Sequence, residues 1–180
     1  EVIESTGDSS VTEPGMPPGL RRSGRFRTLR IPVHDRFEAT RTVRAPHAYA
    51  IDISQGDVVP RLLAHGIEVH RLTREWTSPV DVFEMDSVIV APRAFQWHRE
   101  HRLEGRWVRS QRVHRAGSWV VPIGQPLGAL AVYMLEPESD DGLATWNLVA
   151  PRLAPGGTFP VARVPVALDM SVLAPVAQQG

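Results

Sequence analysis

The chain has 180 residues, twenty basic and twenty acidic, and a formal net charge of zero. It contains no cysteine, so disulfides and thiolate metal or redox sites are excluded. At 42% hydrophobic and 22% charged it has the composition of an ordinary globular domain. All the basic residues are arginine, scattered and matched in number by acids, which argues against a nucleic-acid partner.

Residues 1–24 lack apolar periodicity, and Glu13-Pro-Gly-Met-Pro-Pro-Gly19 reads as a linker or extended strap. Arg21, Arg22, Arg25 and Arg27 sit on it as a solvated cluster that could touch an acidic partner. From Phe26 the pattern changes. Leu29, Ile31 and Val33 alternate with polar residues as in a half-buried strand. Tyr49, Ile51 and Ile53 repeat the alternation. Asp57 is placed to cap a helix over about residues 57–65, with Val58, Val59, Leu62 and Leu63 as its buried stripe and Gly66 as its left-handed stop. Ile67 and Val69 continue as a strand, and the strand–helix–strand unit predicts a parallel pairing with a crossover helix.

The next stretch is strand-rich. Val80 and Val82 alternate, and Ser87–Val90 is a short apolar run. Arg102–Val113 sets Leu103, Gly105, Trp107, Arg109, Gln111 and Val113 on one face. With the turn Ala116-Gly-Ser118 it predicts a hairpin to Trp119–Ile123. Between Pro126 and Pro137 lies the most apolar run of the chain, a predicted helix over about residues 126–136, apolar on all sides and therefore buried. About ten residues are too few to span a membrane, so no membrane insertion is expected. Ala144–Val149 and Pro160–Val166 read as further strands, the second at an edge because of Pro160 and Pro165. Residues 167–180 read as a tail. The expectation is an α+β fold: a mixed, mainly antiparallel sheet, two short helices and extended termini. Residues 25–166 form its single domain.

Four ordered segments carry a resemblance. They are Arg44-Ala-Pro-His-Ala-Tyr49, Leu63-Ala-His-Gly-Ile-Glu-Val69, the Phe95–Trp107 run with His98-Arg-Glu-His-Arg-Leu-Glu-Gly105, and Gln125-Pro-Leu-Gly with Leu135-Glu-Pro-Glu-Ser-Asp-Asp-Gly142 and Thr145-Trp-Asn147. Together, over roughly Thr40 to Pro165, the chain resembles the non-catalytic region that follows the catalytic domain in bacterial zinc carboxypeptidases of the M14, carboxypeptidase A-like, family. The resemblance implies a C-terminal accessory domain that packs on a catalytic carboxypeptidase domain or chain and shapes substrate access. It implies an extracytoplasmic or secreted parent hydrolase that removes C-terminal residues, with zinc held in the parent's catalytic domain and no cofactor in this chain. No catalytic residue is carried over.

Three groups of side chains invite chemistry. His101-Arg-Leu-Glu104 matches His-x-x-Glu, which makes His98, His101 and Glu104 the candidate metal ligands of an alternative reading, a small stand-alone zinc hydrolase. Residues three apart on a strand face opposite ways, which counts against that set. The acidic run Glu136–Asp141 lacks the spacing of an EF-hand loop. Its economical reading is a capped turn, by Ser139 or Asp140, whose carboxylates pair with arginines such as Arg93, Arg99 or Arg163. As a contact surface it offers Asp140, Asp141, Trp146 and Asn147, and with exposed tryptophans these make a second alternative, a peptide- or glycan-binding module. Of five tryptophans, at most one or two are expected at the surface.

Overall fold

The computed structural model describes residues 1–177 except Phe37, Thr40 and Arg41. Thr40, where the resemblance begins, and positions 178–180 of the expected tail lie outside the described residues. The chain divides into two compact units, residues 1–42 and 43–180.

In the first unit, β1 (Ile3–Ser5) pairs antiparallel with β2 (Leu20–Arg22). Here the stretch expected to be a linker makes its own contacts. Arg21 and Arg25 bind Glu4 at 2.7 and 3.1 Å, and Arg22 binds Glu13 at 2.8 Å. The strand expected over Phe26–Val33 does not form. Its alternating residues Leu29, Ile31 and Val33, and Phe26 before them, are exposed and have no partner strand among the described residues.

The second unit is α+β and mainly antiparallel. Its seven strands are β3 (Ala48–Ile51), β4 (His70–Leu72), β5 (Trp76–Val90), β6 (His101–His114), β7 (Trp119–Pro122), β8 (Val161–Val164) and β9 (Leu173–Pro175). They lie in the order β6-β5-β8-β3-β7-β4-β9, and every neighbouring pair is antiparallel. The helices are α1 (Val59–Ala64) and α2 (Gly128–Leu135). Taking β3-α1-β4 and β7-α2-β8 together, the order β8-β3-β7-β4 is a split β-α-β arrangement. So β3 and β4 do run parallel, as the helix between them requires, but they are not neighbours. β7 lies between them and pairs antiparallel with both.

The alternation along β3 assigns the two faces. Tyr49 and Ile51 enter a core with Val121 and Val161, covered by Val59 and Leu62 of α1 and Ala131, Met134 and Leu135 of α2. Ala48 and Ala50 point the other way, to Leu72, Val80, Val82, Val120, Val164 and Val172. Truncating a fully buried residue such as Leu62 would remove about 2–5 kcal/mol.

Several local expectations are corrected. Asp57 does not cap α1. Val58 holds that position without a side-chain bond, and it is Asp52 that caps, accepting from the Ser54 N–H at 2.9 Å to start a short 3-10 turn. Gly66, at φ +79°, is the left-handed stop expected of it. α2 is not buried all round: Ala129 and Tyr133 face solvent. Ala144–Val149 is a turn, because Asn147 sits at φ +62° and interrupts the run. β8 lies inside the sheet, since its two prolines flank the strand and leave its own N–H groups free to pair. The expected tail contains β9, which pairs with β4.

The hairpin β5–β6 replaces the one expected between β6 and β7. Its register runs from Trp76↔His114 to Val90↔His101, with a bulge at Asp86. Arg109 pairs with Asp81 and Arg106 bridges Glu84 and Asp86 at 2.5 and 3.0 Å across the two strands. Gly105 is required opposite the bulge, where a Cβ would lie 2.0 Å from the Glu84 carbonyl oxygen.

Candidate functional site

The acidic turn after α2 folds on itself. Ser139 Oγ accepts from the Asp141 N–H at 3.3 Å, so Ser139 is the capping residue. Thr145 Oγ1 donates to the Ser139 carbonyl at 2.8 Å. Tyr133, on the outward face of α2, donates its hydroxyl to Asp140 Oδ1 at 2.6 Å, and the Trp146 indole N–H donates to Asp141 Oδ1. The Asp140 carboxylate on its hydroxyl pushes the Tyr133 pKa above its ordinary value. Two of the four expected contact residues therefore meet directly: Asp141 and Trp146 line a cleft of about 560 Å³ with Arg61, His65, Leu130, Met134 and Leu148. Its lining is largely apolar and includes a guanidinium, an imidazole and a carboxylate. Asp140 lines a neighbouring hollow of about 400 Å³ with His101 and Arg102. Asn147 lines neither.

The first acid of the run does something else. Glu136 is buried at the end of α2, where Arg163 of β8 reaches it, Nε donating to Oε1 at 2.7 Å. The Arg163 Nη2 donates to Oε2 and the Tyr49 hydroxyl to Oε1. The Trp107 ring covers the guanidinium, 3.6 Å from its central carbon to the ring centroid. Burial, then the Glu136 charge, pushes the Tyr49 phenol well above its ordinary value of 10.0. A charge pair so enclosed holds α2 to the sheet. It offers no open position for a substrate. The Glu136–Arg163 partnership was one of those expected for the acidic run. Tyr49 as its third member was legible only as a strand residue, because its hydroxyl partner lies 87 positions away.

The histidines do not gather. His98 stacks on Trp146, ring centroids 4.5 Å apart. His114 stacks on Trp76 at the opposite end of the hairpin from His101, about 40 Å along the strand at its usual rise. His101 and Glu104 leave opposite faces of β6, and Glu104 is held by Ser87 Oγ and Arg102, each at 3.1 Å. Among the described residues, no group of three or more His, Asp or Glu is placed to hold a metal ion. His98, His101 and Glu104 are thus not brought together as a ligand set among the described residues.

Two tryptophans are exposed, Trp97 and Trp146. Trp97 tops the loop joining β5 to β6. The Phe95 and His98 backbones bond each other at 2.8 and 3.0 Å, which leaves Gln96 and Trp97 as a two-residue turn at φ +46° and +70°. Phe95, Ile89 and Val90 below it are exposed too. No sequence pattern marked this apolar tip, since Gln-Trp is not a turn-forming pair.

Comparison with known proteins gives a partial similarity. The chain is 29% identical over 127 residues to Carboxypeptidase 2 of Trichophyton tonsurans, and 28% identical over 127 residues to Carboxypeptidase 2 of Trichophyton equinum. In each case the match takes in 71% of this chain and 23% of the relative. The chain thus spans less than a quarter of the length of the curated relatives it matches. Most of the chain is a carboxypeptidase-related region. No protein-family model matches it. No solved structure matches it either. Among the described residues, no helix is long and apolar enough to cross a membrane.

Proposed function

We propose that this chain is a non-catalytic accessory domain of an M14-like zinc metallocarboxypeptidase, packing on the catalytic domain and shaping access to it. The observation that carries the reading is the match itself, which covers 71% of this chain but only 23% of Carboxypeptidase 2. That share suits a companion to a larger enzyme. The parent would be an extracytoplasmic hydrolase, with zinc in its own catalytic domain polarising the peptide carbonyl and activating water. Two features of this chain suit the role. Its strongest polar cluster, Tyr49–Glu136–Arg163, is internal and structural. Its exposed apolar side chains Phe95 and Trp97 stand at the tip of the long hairpin, a surface that suits a partner. The test is to read the coding sequence that flanks the segment and to purify its product. A contiguous polypeptide carrying His-x-x-Glu and a later histidine, bound stably to this domain, is expected. The absence of any carboxypeptidase sequence there would overturn the reading.

The cleft favours a second reading, a peptide- or glycan-binding module. A concave surface bearing Trp146 and Asp141 is what such a module needs. Titrating short apolar peptides and oligosaccharides while following the Trp146 indole N–H resonance decides it. A saturable shift supports binding, and an unmoved resonance removes it.

A further inference from the structure

We infer that the Phe95–Trp97 hairpin tip is the anchor by which this domain seats in the catalytic carboxypeptidase domain, with the Trp97 indole entering an apolar pocket there. The inference rests on the accessory reading and names the surface it uses.

The argument starts from backbone chemistry. A two-residue hairpin loop with both central residues at positive φ has the backbone of a type I′ turn, whose preferred sequence is Asn-Gly. Here Gln96 and Trp97 occupy those positions at φ +46° and +70°. Neither residue visits that region without cost, and strain held by a well-paired surround marks functional sites. The surround is well paired: Phe95 and His98 exchange backbone bonds, and the Ala91 N–H donates to the Glu100 carbonyl at 2.9 Å. His98, the next residue, is clamped on Trp146. The tip is thus fixed in place before any partner arrives, which lowers the entropy lost on docking.

Exposure gives the second line. Trp97 is fully exposed, and Phe95 is 55% exposed beside it. Ile89 and Val90, exposed on the strand below, face opposite sides of the hairpin and leave the tip as the apolar contact. Tryptophan is the side chain most enriched among residues that dominate protein interfaces. A convex tip demands a concave receiver, and exposed Arg93 and Arg99 beside it favour an acidic rim around that pocket. The occupant follows from length. More than three quarters of each Carboxypeptidase 2 lies outside the matched region, and that remainder is the protein surface a companion domain would meet.

The test uses the 180-residue chain and the remainder of the contiguous carboxypeptidase polypeptide without this segment, purified separately, with affinity measured by calorimetry. The double variant Gln96→Asn/Trp97→Gly installs the preferred turn sequence and removes the indole. Expected is a loss of at least about thirty-fold in affinity, the size of an interface hot spot, while the thermal midpoint of the isolated chain stays or rises. Retained affinity would overturn the anchor while leaving the accessory reading standing. Failure of the wild-type chain to bind would overturn both. Sedimentation with phosphatidylcholine–phosphatidylglycerol vesicles covers a lipid receiver. Binding that the same variant abolishes would assign the tip to a membrane surface and overturn the inference.

Discussion

Arg163 and Glu136 meet across the junction of sheet and helix, the guanidinium Nε donating to a carboxylate that ends α2 at 2.7 Å. Both are largely buried, and the Tyr49 hydroxyl and the Trp107 ring complete the enclosure. Removing one partner leaves the other charge stranded, which typically costs about 3–5 kcal/mol, whereas removing both for apolar residues costs far less. Arg163→Met is expected to lower the unfolding free energy, read from urea denaturation, by that much. Arg163→Met with Glu136→Leu is expected to recover most of it. Tyr49→Phe, which removes one hydrogen bond, is expected to cost about 1–2 kcal/mol.

Stability should fall at both ends of the pH range. Burial holds the His114 imidazole below its ordinary value of 6.5, with Arg112 adding to the shift. Below about pH 6.5 the unfolded chain takes up a proton that the folded chain resists, so stability drops as pH falls. The Tyr49 phenol is shifted upward, so above about pH 10 the unfolded chain releases a proton that the folded chain keeps. Stability then drops as pH rises. Denaturation midpoints across pH, with His114→Phe shrinking the drop just below about pH 6.5 and Tyr49→Phe shrinking the one above about pH 10, check both signs.

Gly105→Ala puts a methyl 2.0 Å from the Glu84 carbonyl oxygen and 2.9 Å from the Phe83 ring. The bulge at Asp86 must shift to receive it. A loss of about 1–3 kcal/mol is expected, with amide exchange quickened along the distal half of the hairpin.

His98→Ala removes the stack on Trp146 and frees the loop between β5 and β6. Global stability should change by about 1 kcal/mol or less. Amide exchange within residues 91–100 should rise several-fold, and unchanged exchange would show that the stack does not hold the tip.

Much of this architecture was written locally. Val58, Leu62 and Gly66 announced α1, and Pro126 and Pro137 bounded α2 to within two residues. Tyr49/Ile51 and Trp119–Ile123 gave central strands through their alternation. What was not legible depended on distant partners. β6 could have paired with either β5 or β7, and cross-strand pairs such as Arg109–Asp81 and Arg106–Glu84 accompany the choice of β5. The apolar run at Ala144–Val149 promised a strand, and one left-handed backbone at Asn147 makes it a turn. Of the contact residues, Asp141 and Trp146 were legible as neighbours through an acidic run followed by an aromatic. Arg61, His65 and Leu130, which complete the cleft, come from helices whose packing no local pattern states.

The central proposal is that these 180 residues accompany carboxypeptidase chemistry without performing it. The most direct measurement supplies the purified chain with zinc and a peptide and follows release of the C-terminal residue by mass spectrometry. The account predicts no release above a metal-only control. Zinc-dependent release that His101→Ala or Glu104→Gln abolishes would contradict it.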